Sequence, residues 1–350
     1  MPNPVRLISL ATVVPRHVLR QEEVAACAHS LFRDGAGDID RLAPVYGNAG
    51  IETRYSCMPI EWYGRPCGWA ERNRLFVHHA VRLLRRAAAR ALDQAGIAAE
   101  QVDSIVVAST SGIATPSLDA RLMETLPLRR DIQRLPIFGL GCAGGVLGLA
   151  RAAAMARAAP GSIVLFLVVE LCGLTFRNRD SSKSNIVATA LFGDGAAAAV
   201  LSSRRGGPGP EIAGWGEYTW PDTLDVMGWR VEEYGLGVRF SRAIPGLVRA
   251  RFGAAVDRFL AAHGLVRGDL DGTICHPGGA KVLDALENVF GLPPGGMSDA
   301  RAVLKAYGNM SAATVMFVLA RNRRRQARGR YLISALGPGF SVGFALLESP

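Results

Sequence analysis

Aromatic residues make up only 7% of the 350-residue chain, and only Lys183, Lys281 and Lys305 among its forty basic residues are lysines. Few aromatics beside abundant alanine and glycine argue against an all-β sandwich and for helices packed closely on strands. The six cysteines, Cys27, Cys57, Cys67, Cys142, Cys172 and Cys275, show no C-x-x-C spacing. Neither a disulfide framework nor a zinc site is expected, and no metal of another kind. The longest apolar run, Ile163 to Val169, falls far short of the ~20 residues of a membrane span. The start, Met1-Pro-Asn-Pro, lacks a basic-then-apolar signal architecture. These absences predict a reduced, soluble, cytoplasmic protein with no membrane span.

What is present is a hydrophobic fraction of 49% against 20% charged residues, enough for a sizeable core, which excludes disorder as a class. The length suits two ordinary domains or one large pseudo-symmetric unit. The net charge is +10 and almost all of the cations are arginine. Guanidinium groups match phosphate oxygens, so charge alone leaves nucleic acid, anionic lipid and coenzyme A open.

Helical and strand signals alternate, which points to an α/β protein. Residues 80–95 read as a helix stopped by Gly96, and 102–108 as a buried strand. A short strand at 135–141 leads into a helix over 142–159, then a strand at 162–170 and a small-residue strand at 196–201. The glycine- and proline-rich stretch 204–210 is the expected boundary between halves. Beyond it come helices at 245–263, 279–290 and 309–325, and strands at 272–275, 331–335 and 341–347. Each half ends in a glycine turn and an apolar strand, the mark of a weak internal duplication.

Three spots carry chemistry. Cys142, in Gly139-Leu-Gly-Cys-Ala-Gly-Gly145, follows a glycine turn and opens a helix. A helix N-terminus favours an anion, so the thiol pKa is expected to fall there; the plain alternative is a buried apolar cysteine. His276, in Cys275-His-Pro-Gly-Gly279, stands at the carboxyl end of a strand, where active groups of α/β sheets gather; a histidine satisfied by local backbone is the alternative. Its neighbour Cys275 is read as packing. Asn309, in Tyr307-Gly-Asn-Met-Ser-Ala-Ala313, is either a helix N-cap or an amide that holds a carbonyl oxygen.

In this order, and with a closing Gly337-Pro-Gly-Phe340, these motifs resemble the type III polyketide synthases, the chalcone-synthase-like branch of the thiolase superfamily. Leu191 to Ala198 and Thr175-Phe-Arg177 match the same family in place, so the resemblance covers nearly the whole chain. It implies a homodimer with a layered αβαβα thiolase-like fold of two similar halves, here 1–205 and 206–350. It implies Cys142 as the nucleophile that takes an acyl starter from acyl-CoA and holds the growing chain. His276 would pair with Cys142 as an ion pair, and with Asn309 it would bind the malonyl-CoA thioester carbonyl through decarboxylation. Phe192 matches a gatekeeper position, Thr175 and Ser311 match cavity-lining positions, and Gly337 matches the cyclisation-pocket glycine. No cofactor is implied.

Two positions depart from the plant enzymes. Leu336 replaces a second gatekeeper phenylalanine, and Thr115 stands where those enzymes place a methionine that reaches across the dimer. The segment 226–245 looks most like bacterial members that make alkylpyrones or alkylresorcinols from fatty acyl starters. A β-ketoacyl-(acyl carrier protein) synthase III, which condenses once, shares the same Cys-His-Asn trio and is the enzymatic alternative. Arg321 to Arg330 holds six arginines and reads as a solvated face, or as a dock for CoA phosphates or an acyl carrier protein. Arg54 lies roughly where the family binds CoA phosphates, on a local match too loose to name it a ligand. Adjacent His78 and His79 diverge on a helix and are not expected to bind metal. A nucleic-acid partner is not expected, since no helix-turn-helix, RNP or zinc signature accompanies the arginines.

Overall fold

The computed structural model describes residues 3–33, 39–325 and 328–349. Met1 and Pro2 of the N-terminal motif, and Gln326 and Ala327 of the arginine run, lie outside the described residues. Thirteen strands occur among the described residues. They are β1 Arg6–Val13, β2 His17–Arg20, β3 Thr53–Ser56, β4 Ser104–Ala108, β5 Gln133–Ile137, β6 Ile163–Leu171 and β7 Asp194–Ser202. After them come β8 Glu211–Thr219, β9 Met227–Glu232, β10 Gly235–Phe240, β11 Gly272–Cys275, β12 Gly329–Gly337 and β13 Ser341–Ser349.

Nine of them form one mixed sheet in the order β11-β12-β13-β8-β1-β7-β6-β4-β5. One pairing pattern occurs in both halves, with β5 added parallel to β4 at one edge. β4 runs parallel to β6, and β7 and β1 follow antiparallel; β11 runs parallel to β12, and β13 and β8 follow antiparallel. β1 meets β8 through a single pair, Arg6 with Glu211. β6 (IVLFLVVEL) is buried at every position because helices cover both faces, which is why residues 163–169 read as an unbroken apolar run.

The layers are αβαβα. The helix Trp69–Ala95 packs its Ala and Leu stripe on one face of β4, β6 and β7. The helices Gly144–Ala158 and Thr314–Arg324 fill the middle layer between the two half-sheets. Phe252 and Phe259, with Leu283 and Leu286 of the helix Ala280–Val289, close the far side. The two middle helices begin against each other because the first opens on glycine. A Cβ on Gly145 would lie 2.2 Å from the Ala312 carbonyl oxygen.

Two differences from the sequence reading have clear causes. The expected helix at 80–95 starts eleven residues earlier, at Trp69, since its polar first turns still bury Phe76 and Arg72. Arg72 spends its guanidinium on the carbonyls of Cys67 and Phe176. β8 (EIAGWGEYT) gave no strand signal because two of its residues are glycine. There the rings of His263 and Phe259 lie against the strand where Gly214 and Gly216 have no side chain. No helix among the described residues is long and apolar enough to cross a membrane.

Candidate active site

Cys142 lies in a short 3-10 turn, Gly141–Ala143, that runs straight into the first middle-layer helix. Gly141 takes a left-handed φ of 47°, and its N–H donates to Thr110 Oγ1 at 3.1 Å. The turn tucks Cys142 inward, where it is 7% exposed. This burial reverses the expected direction of its titration. Loss of hydration around a thiolate outweighs the helix N-terminus and pushes Cys142 up to about 12; the Ser311 hydroxyl pulls down, and Glu170 adds to the rise.

The second middle-layer helix supplies the facing wall. Its preceding turn, Ser311–Ala313, opens at Ser311 with a left-handed φ of 47°. Such a conformation in a non-glycine residue is held by its surroundings. Here the Ser311 N–H donates to Asn309 Oδ1 at 2.8 Å and the Ser311 carbonyl accepts from Thr314 Oγ1 at 2.9 Å. Helix proper starts at Thr314, so Asn309 is not its N-cap. Asn309 is instead tied by its backbone to the 191–193 segment, donating to the Leu191 carbonyl at 2.8 Å and accepting from Gly193 N–H at 3.0 Å. Its side-chain Nδ2 donates to the Gly278 carbonyl at 3.1 Å.

His276 leaves β11 just before that Pro-Gly-Gly turn, its backbone N–H held by the Ser334 carbonyl at 2.9 Å. The ring is 5% exposed, and neither Nδ1 nor Nε2 has a hydrogen-bond partner. Burial pushes its pKa down to about 3, so the resting imidazole is neutral. Burial thus favours the uncharged form of each group, the Cys142 thiol and the His276 imidazole, against the expected ion pair. The three candidates are linked through neighbours, Cys142 to Ser311, Ser311 to Asn309, and Asn309 to the turn that carries His276.

Sequence reasoning missed Glu170. It stands fully buried one residue before the end of β6, accepts from Thr110 N–H at 3.1 Å, and is pushed up to about 7 by burial; Ser111 and Ser311 lie beside it and pull down. A lone acid closing a run of seven apolar residues was the available signal. Also missed was Arg54 as a clamp. It is fully buried and donates to the carbonyls of Ala190 and Phe192, each at 3.0 Å, which fixes the end of the helix Lys183–Leu191.

The remaining candidates divide. Phe192 is 9% exposed and packs with Phe240 and Trp229 at ring centroid distances of 5.7 and 6.0 Å. Thr175 is buried on the turn after β6, where its hydroxyl donates to the Cys172 carbonyl. Leu336 is buried at the end of β12, and Gly337 abuts the cysteine turn. Thr115 is exposed on the chain's own surface and joins no other candidate within one chain. In the arginine run, Arg321 and Arg325 pair with Asp299 and Arg330 with Glu348. His78 and His79 sit edge-to-face within the Trp69–Ala95 helix, and Cys275 takes a bond from Ser334 Oγ in the core. All six cysteines are free.

Family models for chalcone and stilbene synthases match the chain twice: the N-terminal domain over residues 3–205 and the C-terminal domain over 216–348. A putative chalcone synthase of Bacillus subtilis (strain 168) is 38% identical, with 98% of each chain covered. A 1,3,6,8-tetrahydroxynaphthalene synthase of Streptomyces peucetius subsp. caesius is 38% identical over 96% of this chain and 91% of its own. The crystal structure of the 1,3,6,8-tetrahydroxynaphthalene synthase of Streptomyces coelicolor A3(2) superposes with a TM-score of 0.93 at 29% identity, covering 98% of this chain and 99% of that one.

Proposed function

Because the chain belongs to the chalcone and stilbene synthase family, and so is a type III polyketide synthase, we propose that Cys142, His276 and Asn309 carry its condensing chemistry. We take residues 1–205 and 206–350 as the two halves, the first supplying the thiol and the second the imidazole and amide. The observation that carries this reading is His276, a buried ring with two unpartnered nitrogens. Buried polar atoms are rarely left without partners unless a ligand or a reaction provides one.

In the loading step Cys142 Sγ gives its proton to His276 and attacks the acyl-CoA thioester carbonyl. The bond to the CoA sulfur breaks, and CoA leaves as a thiol with the proton returned from His276. Malonyl-CoA then binds with its thioester oxygen against His276 and the second N–H of the Asn309 amide. Its carboxylate departs as carbon dioxide, and the electron pair left behind becomes an enolate held by those donors. The enolate carbon attacks the acyl group on Cys142, the C–S bond breaks, and the extended chain is now on CoA while Cys142 leaves as a thiolate, ready to be reloaded.

The starter is a fatty acyl group, and the product an alkylpyrone or alkylresorcinol. Leu336 in place of an aromatic side chain supports a passage wide enough for it. Lys183 stands near Arg41, Arg242 and Lys281, whose positive charges lower its pKa after partial burial does. These cations gather at the start of the helix Lys183–Leu191 and suit the CoA phosphates. An acyl carrier protein is the alternative donor. The working unit is a homodimer in the cytoplasm, with Thr115 facing the partner.

Incubating the protein with malonyl-CoA and acyl-CoAs of graded length, then weighing the products, tests the reading. Ring-closed products with two or more added two-carbon units are expected. A product that stops after one extension would place the activity with the single-condensation synthases, which the family matches do not favour.

A further inference from the structure

β1 has one paired edge and one open edge. On the first it pairs with β7 from Arg6 to Val13; on the other it meets β8 only at Arg6 with Glu211. Beyond that point the Ile8 carbonyl accepts from Arg323 Nη2 at 3.3 Å, and no strand among the described residues pairs with 9–13 on this side. Ile8 to Thr12 form the floor of a cleft of about 670 Å³. Arg90 and Gln94 of the helix Trp69–Ala95 stand on one wall, and Arg323 and Arg324 of the helix Thr314–Arg324 on the other. A smaller hollow of about 130 Å³ follows along the chain at Pro15 and Arg16, lined also by Arg82 and Arg86. An unpaired strand edge is a template for another chain. We propose that this edge docks an extended acidic segment of a partner protein, added as a strand beside β1 with its carboxylates against the two arginine walls.

The charge is one-sided. No aspartate or glutamate among the described residues lines either hollow, and none of these six arginines pairs with a carboxylate among them. Arg16 and Arg82 lean instead on the rings of His17 and His78. Arg82, Arg86 and Arg90 recur every four residues and so form one stripe along their helix. His79 records the resulting field: burial lowers its pKa to about 4, and His78, Arg82, Arg16 and His17 all push the same way. The strand supplies the geometry. Ala11 and Val13 turn towards the helix Trp69–Ala95, and Leu10 towards the middle layer. A strand laid alongside alternates in the same way, so carboxylates at neighbouring positions reach Arg90 on one side and Arg324 on the other. A nucleic acid or a free phosphate uses the charge alone; only a peptide backbone has N–H and C=O groups spaced to continue the ladder. The edge also stands apart from the condensing chemistry. The eleven residues of Thr314–Arg324 put about 16 Å of helix between the Ser311 turn and Arg324.

The test uses the full chain and a fluorescein-labelled peptide, Thr-Glu-Glu-Val-Glu-Glu-Val-Glu-Glu-Thr, followed by anisotropy and by amide hydrogen exchange. Binding is expected, with exchange slowed at residues 9–13. Arg90 and Arg324 are exposed, one on each wall, so Arg90→Glu and Arg324→Glu spare the fold and should each weaken binding about fivefold. N-methylation of the interior peptide amides keeps every charge and removes every ladder donor; it should weaken binding at least tenfold. If the methylated peptide binds as tightly as its parent, or the same peptide with lysine for glutamate does, the proposal falls. No binding, or exchange unchanged at 9–13, also overturns it. So does a ten-nucleotide oligouridylate that binds more tightly than the peptide, which would make the arginine stripe a nucleic-acid surface.

Discussion

Asn309 Nδ2 donates to the Gly278 carbonyl at 3.1 Å, which fastens the amide to the turn that follows His276. An amide nitrogen carries two hydrogens, so one remains for a substrate oxygen while the other sets the distance between the two donors. Asn309→Ala removes both functions. Carbon dioxide release from malonyl-CoA should fall ~10²–10³-fold, the usual cost of one oxyanion donor. Radiolabelled carbon dioxide counted beside acyl-enzyme mass checks it, and undiminished release would leave Asn309 a purely structural tie.

Cys142→Ala separates loading from decarboxylation. With His276 and Asn309 intact, malonyl-CoA should still be converted slowly to acetyl-CoA, while no acyl-enzyme and no condensation product form. Loss of decarboxylation together with condensation would mean the thiol takes part in both steps.

Burial raises the Cys142 thiol to about 12 and lowers the His276 imidazole to about 3. The reactive thiolate is then scarce at neutral pH, and its fraction grows tenfold per pH unit up to the thiol pKa. Alkylation of Cys142 by iodoacetamide in the free enzyme should climb steadily from pH 7 to 10, and half-buried Cys27 and Cys67 should be labelled first. Peptide mass mapping over a pH series gives the profile. A rate already flat from pH 6 would establish a resting thiolate–imidazolium pair.

Leu336→Phe restores an aromatic side chain at the end of β12. The preferred starter should shorten, read as a shift of the kcat/KM maximum across acyl-CoAs of increasing length. An unchanged maximum would show that residue 336 does not face the starter.

Glu287 and Arg301 bind the helix that follows His276 to the helix Ser298–Tyr307 that precedes Asn309, through contacts of 2.8 and 2.6 Å. Those bonds hold the Glu287 carboxyl down at about 2. A lowered carboxylate stabilises the fold above its unfolded value of 4.5, and the gain is lost as pH falls through 2. Glu287→Gln should cost about 2 kcal/mol at pH 7 and flatten the decline of Tm between pH 5 and 2. Thermal melts over that range decide it; parallel declines would place the acid sensitivity elsewhere.

Cys142, His276 and Asn309 stand out as candidates because each sits in a short glycine-flanked pattern at an element end, and such patterns are local. β6 and the helix Gly144–Ala158 were legible for a similar reason, through apolar runs that need no partner to be recognised. Ser311 was matched as a cavity residue, yet its strained backbone and its place between Cys142 and Asn309 arise only when two helices from different halves meet. Glu170 becomes a neighbour of Cys142 only through the sheet. The titration of Cys142 was misjudged because helix ends can be read along a chain, whereas dryness cannot.

Gly337 is packed so tightly under the cysteine turn that a Cβ there would lie 2.6 Å from the Leu140 carbonyl oxygen and 2.7 Å from Ala143 Cβ. It works as a fixed stop beneath Cys142. A side chain at 337 lifts the thiol before it narrows any cavity, so cavity volume and nucleophile height cannot be changed separately at that position. Room beside Cys142 can therefore be tuned independently of the thiol only at positions other than 337.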